Sequence, residues 1–132
     1  GGEGNGGVIW PEVTFVRDSL SAMALVLTLC ARKRMAISEL VEEVNSWSPG
    51  GRGYAIVKRK VEVADRESAQ RLIDEVAQRY EGSRIDRRDG VWVDLSERGA
   101  WLHVRSSNTE PIVRLIAEAP SQQEARELVG PD

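Results

Sequence analysis

The chain has 132 residues, of which 41% are hydrophobic and 30% charged, with a formal net charge of −3. That balance fits a soluble globular protein of one domain, or of a small domain with part of another, and it argues against a broadly basic surface for nucleic acid. No apolar run reaches the length of a membrane span, and the single cysteine, Cys30, makes no internal disulfide, which fits a free thiol in a reducing, cytoplasmic setting.

The first stretch, GGEGNGG, carries only two side chains, Glu3 and Asn5. A carboxylate beside an amide, on a backbone that can approach a ligand closely, suits sugar hydroxyls; a loose terminus accounts for the same residues. The glycine spacing is not that of a dinucleotide loop. Asp18 is placed to cap a helix over Ser19–Arg32, in which Leu20, Ala22, Met23, Leu25, Val26, Leu27, Leu29 and Cys30 point in nearly every direction. Such a helix is buried in a larger body or a membrane, and Leu20–Ala31 is too short for a membrane. A second helix follows, with Ile37, Leu40, Val41 and Val44 on one stripe. Two helices without a sheet make no domain, so residues 1–47 read as the helical tail of an incomplete α/β domain.

The turn-rich segment Ser46–Gly53, SWSPGGRG, marks a boundary, with residues 48–53 as linker or hinge. Residues 54–132 then read as a further domain. Ala55, Val57, Val61 and Val63 alternate on a strand, and Asp65 caps a helix with the stripe Ala69, Leu72, Ile73, Val76 and Tyr80. Three short strands follow, carrying Val91, Val93 and Leu95, then Leu102 and Val104, then Val113, Leu115 and Ala117; a last helix opens at Ser121. The order predicts an α+β fold, a four-stranded, mainly antiparallel sheet with two helices on one face. Trp92 and Trp101 are expected to pair across neighbouring strands, His103 to have a supporting or surface role, and Lys58–Lys60 with Arg84, Arg87 and Arg88 to be solvated edges.

The stretch RSSNTEPIVR, Arg105–Arg114, is the richest in chemistry. Arginines on two successive strands flank a turn that supplies Ser107, Asn108, Thr109 and free backbone N–H groups. Hydroxyl and amide donors in a concave turn, with a guanidinium to bind two oxygens, are what a phosphate needs. An ordinary hairpin turn whose polar residues satisfy their own backbone has the same spacing.

Taken together, these segments resemble the α-D-phosphohexomutases (phosphomannomutase, phosphoglucomutase and phosphoglucosamine mutase). The sugar-recognition loop of that family, G-E-x-S/N-G-x, matches Gly2–Gly7, and its R-x-S-G/N-T-E-P phosphate loop matches RSSNTEP, followed by an arginine at Arg114. VRDSL resembles the helix start after the sugar loop, and DGVWV with GAWLHVR the paired strands before the phosphate loop. The resemblance implies the C-terminal part of an enzyme that interconverts hexose 1-phosphate and 6-phosphate through a bisphosphorylated sugar, on glucosamine, mannose or glucose. It implies that Glu3 and Asn5 hold sugar hydroxyls, and that Arg105, Ser107, Asn108, Thr109 and Arg114 hold the phosphate that is not being transferred. The phosphoserine and the magnesium-binding D-G-D-x-D-R loop of the family have no match here, so this part is expected to bind without catalysing and to ligate no metal itself. Its expected partners are a hexose phosphate, the preceding domains of the same chain and, through the apolar helix, a second copy. A free-standing phosphosugar-binding module and, behind it, a nucleic-acid-binding domain are the alternatives.

Overall fold

The computed structural model describes residues 1–2 and 7–131, and the chain forms two compact units, Gly1–Val44 and Asn45–Asp132. In the first, Gly2 and Val8 make an isolated antiparallel bridge. Helix α1 (Ser19–Lys33) begins at the expected cap, where the Asp18 carboxylate accepts from the N–H groups of Leu20 and Ser21. The Ser21 hydroxyl, foremost, and these N–H groups hold the Asp18 carboxyl below its usual range. The helix ends at Arg34 in the left-handed region, whose N–H bonds to the Cys30 carbonyl.

Helix α2 (Ile37–Ser46) buries only Leu40; Ile37, Val41 and Val44 stay exposed. An ion pair between Lys33 and Glu43 links the two helices. Along α1 the apolar residues Met23, Leu25, Val26, Leu27 and Leu29 are exposed, and Leu20 is 70% exposed. These residues have the surface of a buried helix with no second layer over it among the described residues. No helix of the described residues is long and apolar enough to cross a membrane.

The second unit opens on a hydrogen-bonded loop. Ser48 is buried, and its hydroxyl donates to the Asn45 carbonyl and accepts from the Gly53 N–H, both at 2.7 Å. The sheet has five strands, β1 (Ala55–Glu62), β2 (Arg84–Asp86), β3 (Val91–Leu95), β4 (Ala100–Ser106) and β5 (Ile112–Ala119). They lie in the order β1-β5-β4-β3-β2, and every pairing is antiparallel. The strand absent from the four-stranded expectation is β2, three residues long with Ile85 its single apolar side chain, too short for any periodic signal.

Helices α3 (Arg66–Arg79) and α4 (Gln122–Val129) start at the side-chain caps Asp65 and Ser121 and cover one face of the sheet. Ala69, Ile73 and Ala77 of α3 and Val129 of α4 pack against Val91, Val93, Leu102, Val104, Val113, Leu115 and Ala117. Full burial of each valine or leucine contributes about 1.5–3 kcal/mol. The alternate residues of the strands emerge on the opposite, open face.

Gly90 stands where β3 meets β4, at a φ of 71°. A Cβ there would lie 2.2 Å from the Val104 carbonyl oxygen and 2.8 Å from the Arg105 Cα, so no side chain fits without moving backbone. Gly90→Ala is expected to destabilise the fold by about 2–4 kcal/mol, from left-handed strain and overpacking combined. Urea unfolding measures this, and a loss below about 1 kcal/mol would show that β3 shifts freely at this point.

Candidate phosphate-binding loop

The hairpin between β4 and β5 brings the C-terminal candidates together. Arg105 and Arg114 are directly opposed across the two strands, both on the open face. The ladder continues one step beyond β4, where the Ser107 N–H donates to the Ile112 carbonyl at 2.9 Å. Inside the loop the Thr109 N–H reaches the Ser107 hydroxyl at 3.4 Å, a weak bond, and the Ile112 N–H bonds to the Glu110 carbonyl. The backbone N–H groups of Asn108 and Glu110, the Asn108 amide and the Thr109 hydroxyl find no hydrogen-bond partner among the described residues. Asn108, Thr109 and Glu110 are exposed, so these groups face solvent rather than one another.

The arginines are only loosely neutralised. Arg105 Nε lies 3.9 Å from Asp89 and Arg114 Nη2 lies 3.3 Å from Glu110, and both carboxylates are more than half exposed. Arg114 Nε is buried without a hydrogen-bond partner. An orphaned guanidinium N–H beside a loop of free donors is a site that an oxyanion would complete.

The loop has a second flank. A groove of about 270 Å³ runs between it and the start of α3, lined by Asp65, Arg66 and Ser106–Ile112. Arg66 is a candidate that the sequence pattern does not reveal, because only the packing of α3 brings it to the loop. The Asp65 carboxylate in that groove, held below its usual range first by the Ser68 N–H, opposes an anion there. The open face, with its cations, is the better seat. A wider groove of about 750 Å³ lies between β1 and α4, around Lys58, Arg59 and Glu127, and includes no residue of the loop.

Beyond Arg105 the open face carries Trp92 opposite His103 and Asp94 opposite Trp101. The two tryptophans are therefore diagonal rather than directly paired. Trp101 Nε1 donates to Glu118 at 3.3 Å, and His103 Nε2 lies 2.7 Å from the Asp89 carbonyl oxygen. His103 thus braces the turn that bears Asp89, the carboxylate beside Arg105. Of the expected solvated basic run, Arg59 departs. It faces the helices, and its Nη1 donates to the Val129 carbonyl at 3.0 Å.

Glu3 and Asn5 lie outside the described residues. Among the described residues no group of three or more histidine, cysteine or carboxylate side chains is arranged to hold a metal ion. The magnesium implied by the resemblance therefore finds no ligand set in them.

Residues 57–130 match the family model of the phosphoglucomutase/phosphomannomutase C-terminal domain, and residues 1–46 match its alpha/beta/alpha domain III. The chain belongs to the phosphoglucomutase/phosphomannomutase family. It is 36% identical over 130 residues to a phosphoglucomutase/phosphomannomutase of Thermococcus kodakarensis, covering 98% of this chain and 26% of that protein. A probable phosphoglucosamine mutase of Methanopyrus kandleri is also 36% identical, over 97% of this chain and 26% of its own length. A phosphoglucosamine/phosphogalactosamine mutase of Sulfurisphaera tokodaii is 30% identical, over 98% and 27%. The chain spans about a quarter of the length of these relatives.

The turn before Gly90 is stiffened by a local ion pair. Arg88 binds the Asp86 carboxylate through its guanidinium and its own N–H, and these bonds, the side-chain ones first, lower the carboxyl from 3.8 to about 2. With the folded value below the unfolded one, the pair favours the folded state above the ordinary carboxylate range, and that contribution disappears as pH falls through about 2. A carboxyl-carbon NMR titration should give Asp86 a midpoint near 2, moving back toward 3.8 in Arg88→Gln. An unshifted midpoint in the wild type would mean that the pair does not persist in solution.

Proposed function

We propose that this chain supplies the sugar-recognition and phosphate-anchoring end of a phosphohexomutase, which moves a phosphoryl group between carbon 1 and carbon 6 of a hexose through a bisphosphorylated intermediate. The observation that carries this reading is the β4–β5 hairpin, where unpartnered N–H and hydroxyl groups of Asn108, Thr109 and Glu110 stand beside two opposed, half-neutralised arginines. In it Arg105, Ser107, Asn108, Thr109 and Arg114 bind the phosphate that stays in place. Binding energy from that unreactive end orients the reacting end, where a misplaced substrate would lose rate. Glu3 and Asn5 take the sugar hydroxyls in this reading, on the strength of the loop motif alone.

Phosphoryl transfer itself needs a nucleophile and a metal, the magnesium of the family, which other parts of such an enzyme would supply. The exposed apolar surface of α1 favours such further parts, since an apolar helix gains stability only under a covering layer. The compact core of Asn45–Asp132 favours a second reading, in which that unit holds phosphate esters by itself, as a binding module.

Titration of the chain with glucosamine 6-phosphate, mannose 6-phosphate and inorganic phosphate, followed by amide chemical shifts, tests the anchor. Saturable shifts should centre on residues 105–110 for all three ligands, and Arg105→Gln should weaken each about tenfold or more, as for loss of a charge-assisted pair. Saturable shifts confined to other parts of the sheet, or none at all, would refute it.

A further inference from the structure

We infer that Lys60 is a third cation of the phosphate anchor, an inference that rests on the reading just given and extends it to a strand outside the loop. The register fixes the geometry. Arg105 of β4 opposes Arg114 of β5, and Arg114 opposes Lys60 of β1, so three cations stand in one row across three adjacent strands. Neighbouring strands are about 4.8 Å apart, so the row spans about 10 Å of backbone, well within the convergence of three long side chains on one dianion.

Protein carboxylates meet the two arginines of this row but not Lys60. Asp89 and Glu110 accompany the two arginines, Lys60 has no ion pair or hydrogen bond among the described residues, and Arg114 Nε is orphaned at the middle of the row. Like charges in direct cross-strand opposition weaken a sheet, and a fold gains nothing from this arrangement without an anion. Lys58 does not share the role, because it stands opposite Ile116, one step farther from the loop on the same face. Arg59 points to the other face, where the Val129 carbonyl engages it. Glu62, the next residue of β1 on the open face, stands opposite Ile112 at the loop end. It sets the boundary of the row, as a carboxylate that an incoming phosphate would avoid.

The test compares the 132-residue chain with its Lys60→Gln, Lys60→Arg and Arg105→Gln variants, using inorganic phosphate and glucosamine 6-phosphate as probes. Lys60→Gln should weaken phosphate binding about threefold to fivefold, the range of an exposed charge pair, and make the affinity less sensitive to salt. Lys60→Arg should restore both. Without phosphate, Lys60→Gln should unfold at a higher temperature than the wild type, because the cross-strand repulsion is relieved, an effect opposite to that of a structural residue. Wild-type affinity in Lys60→Gln, with binding lost in Arg105→Gln, would overturn the role of Lys60 and leave the loop as the whole anchor. Failure of the wild type to bind either probe would overturn the anchor itself, and Lys60 with it.

Discussion

The pairing of β4 with β5 is the constraint from which both the core and the candidate site follow. It sets Leu102 against Ala117, Val104 against Leu115 and Ser106 against Val113 on the face under the helices. Because side chains alternate, the same register sets Trp101 against Glu118, His103 against Ile116 and Arg105 against Arg114 on the open face. A slip of one residue would send arginine and histidine into the core and carry Val104, which is fully buried, out to solvent. Burial of the valines and leucines therefore positions the two guanidinium groups. This placement of the guanidinium groups relies on one glycine, Gly90, at which the approach of β3 to Arg105 leaves no room for a side chain.

Features that depend on neighbours in sequence were legible from the residues alone. The caps Asp18, Asp65 and Ser121 are where their side chains announce them, since a cap is satisfied by N–H groups two or three residues away. The alternation of β3, β4 and β5 was equally plain, as was the concentration of donors in RSSNTEP. What escaped depends on neighbours in space. The edge strand β2 has one apolar residue and is held by its partner β3 rather than by any pattern of its own. Arg59, in a run of three cations, looks like its neighbours until strand polarity gives it the helix side and Val129 as partner. Trp92 and Trp101 lie on adjacent strands, yet whether they oppose each other depends on a register that composition does not contain. Lys60 was hidden for the same reason, and so was Arg66.

The two units differ in how much of their stability lies within the described residues. Asn45–Asp132 closes a core on one face of its sheet, with Val91, Val93, Leu102, Val104 and Val113 fully buried. Gly1–Val44 buries Leu40 and Ser21 and leaves a continuous apolar surface on α1 and α2 in contact with water. For a helix of fifteen residues, propensity and caps give marginal stability, and most of what holds such helices in proteins is the packing of an apolar face. Residues 1–46 match an alpha/beta/alpha domain, a layered class in which helices pack their apolar faces against a sheet.

Charge on the open face is arranged in two contrasting ways. Around Asp86 the cation and the carboxylate are close and mutually satisfied, with Arg88 lowering the carboxyl to about 2. At Arg105, Arg114 and Lys60 the same sheet sets like charges side by side, with Asp89 3.9 Å from Arg105, Glu110 3.3 Å from Arg114 and no ion pair at Lys60 among the described residues. The first arrangement is complete as it stands, and an added ion would gain little from it. In the proposed reading, the second is completed by a ligand of the opposite sign. An opposed neutral pair would fit this face at less electrostatic cost. In the proposed reading, this row and the loop beside it, with its free N–H groups, serve one anion. The loop supplies directed hydrogen bonds and the row supplies charge, the combination by which proteins hold a phosphate ester in a fixed orientation.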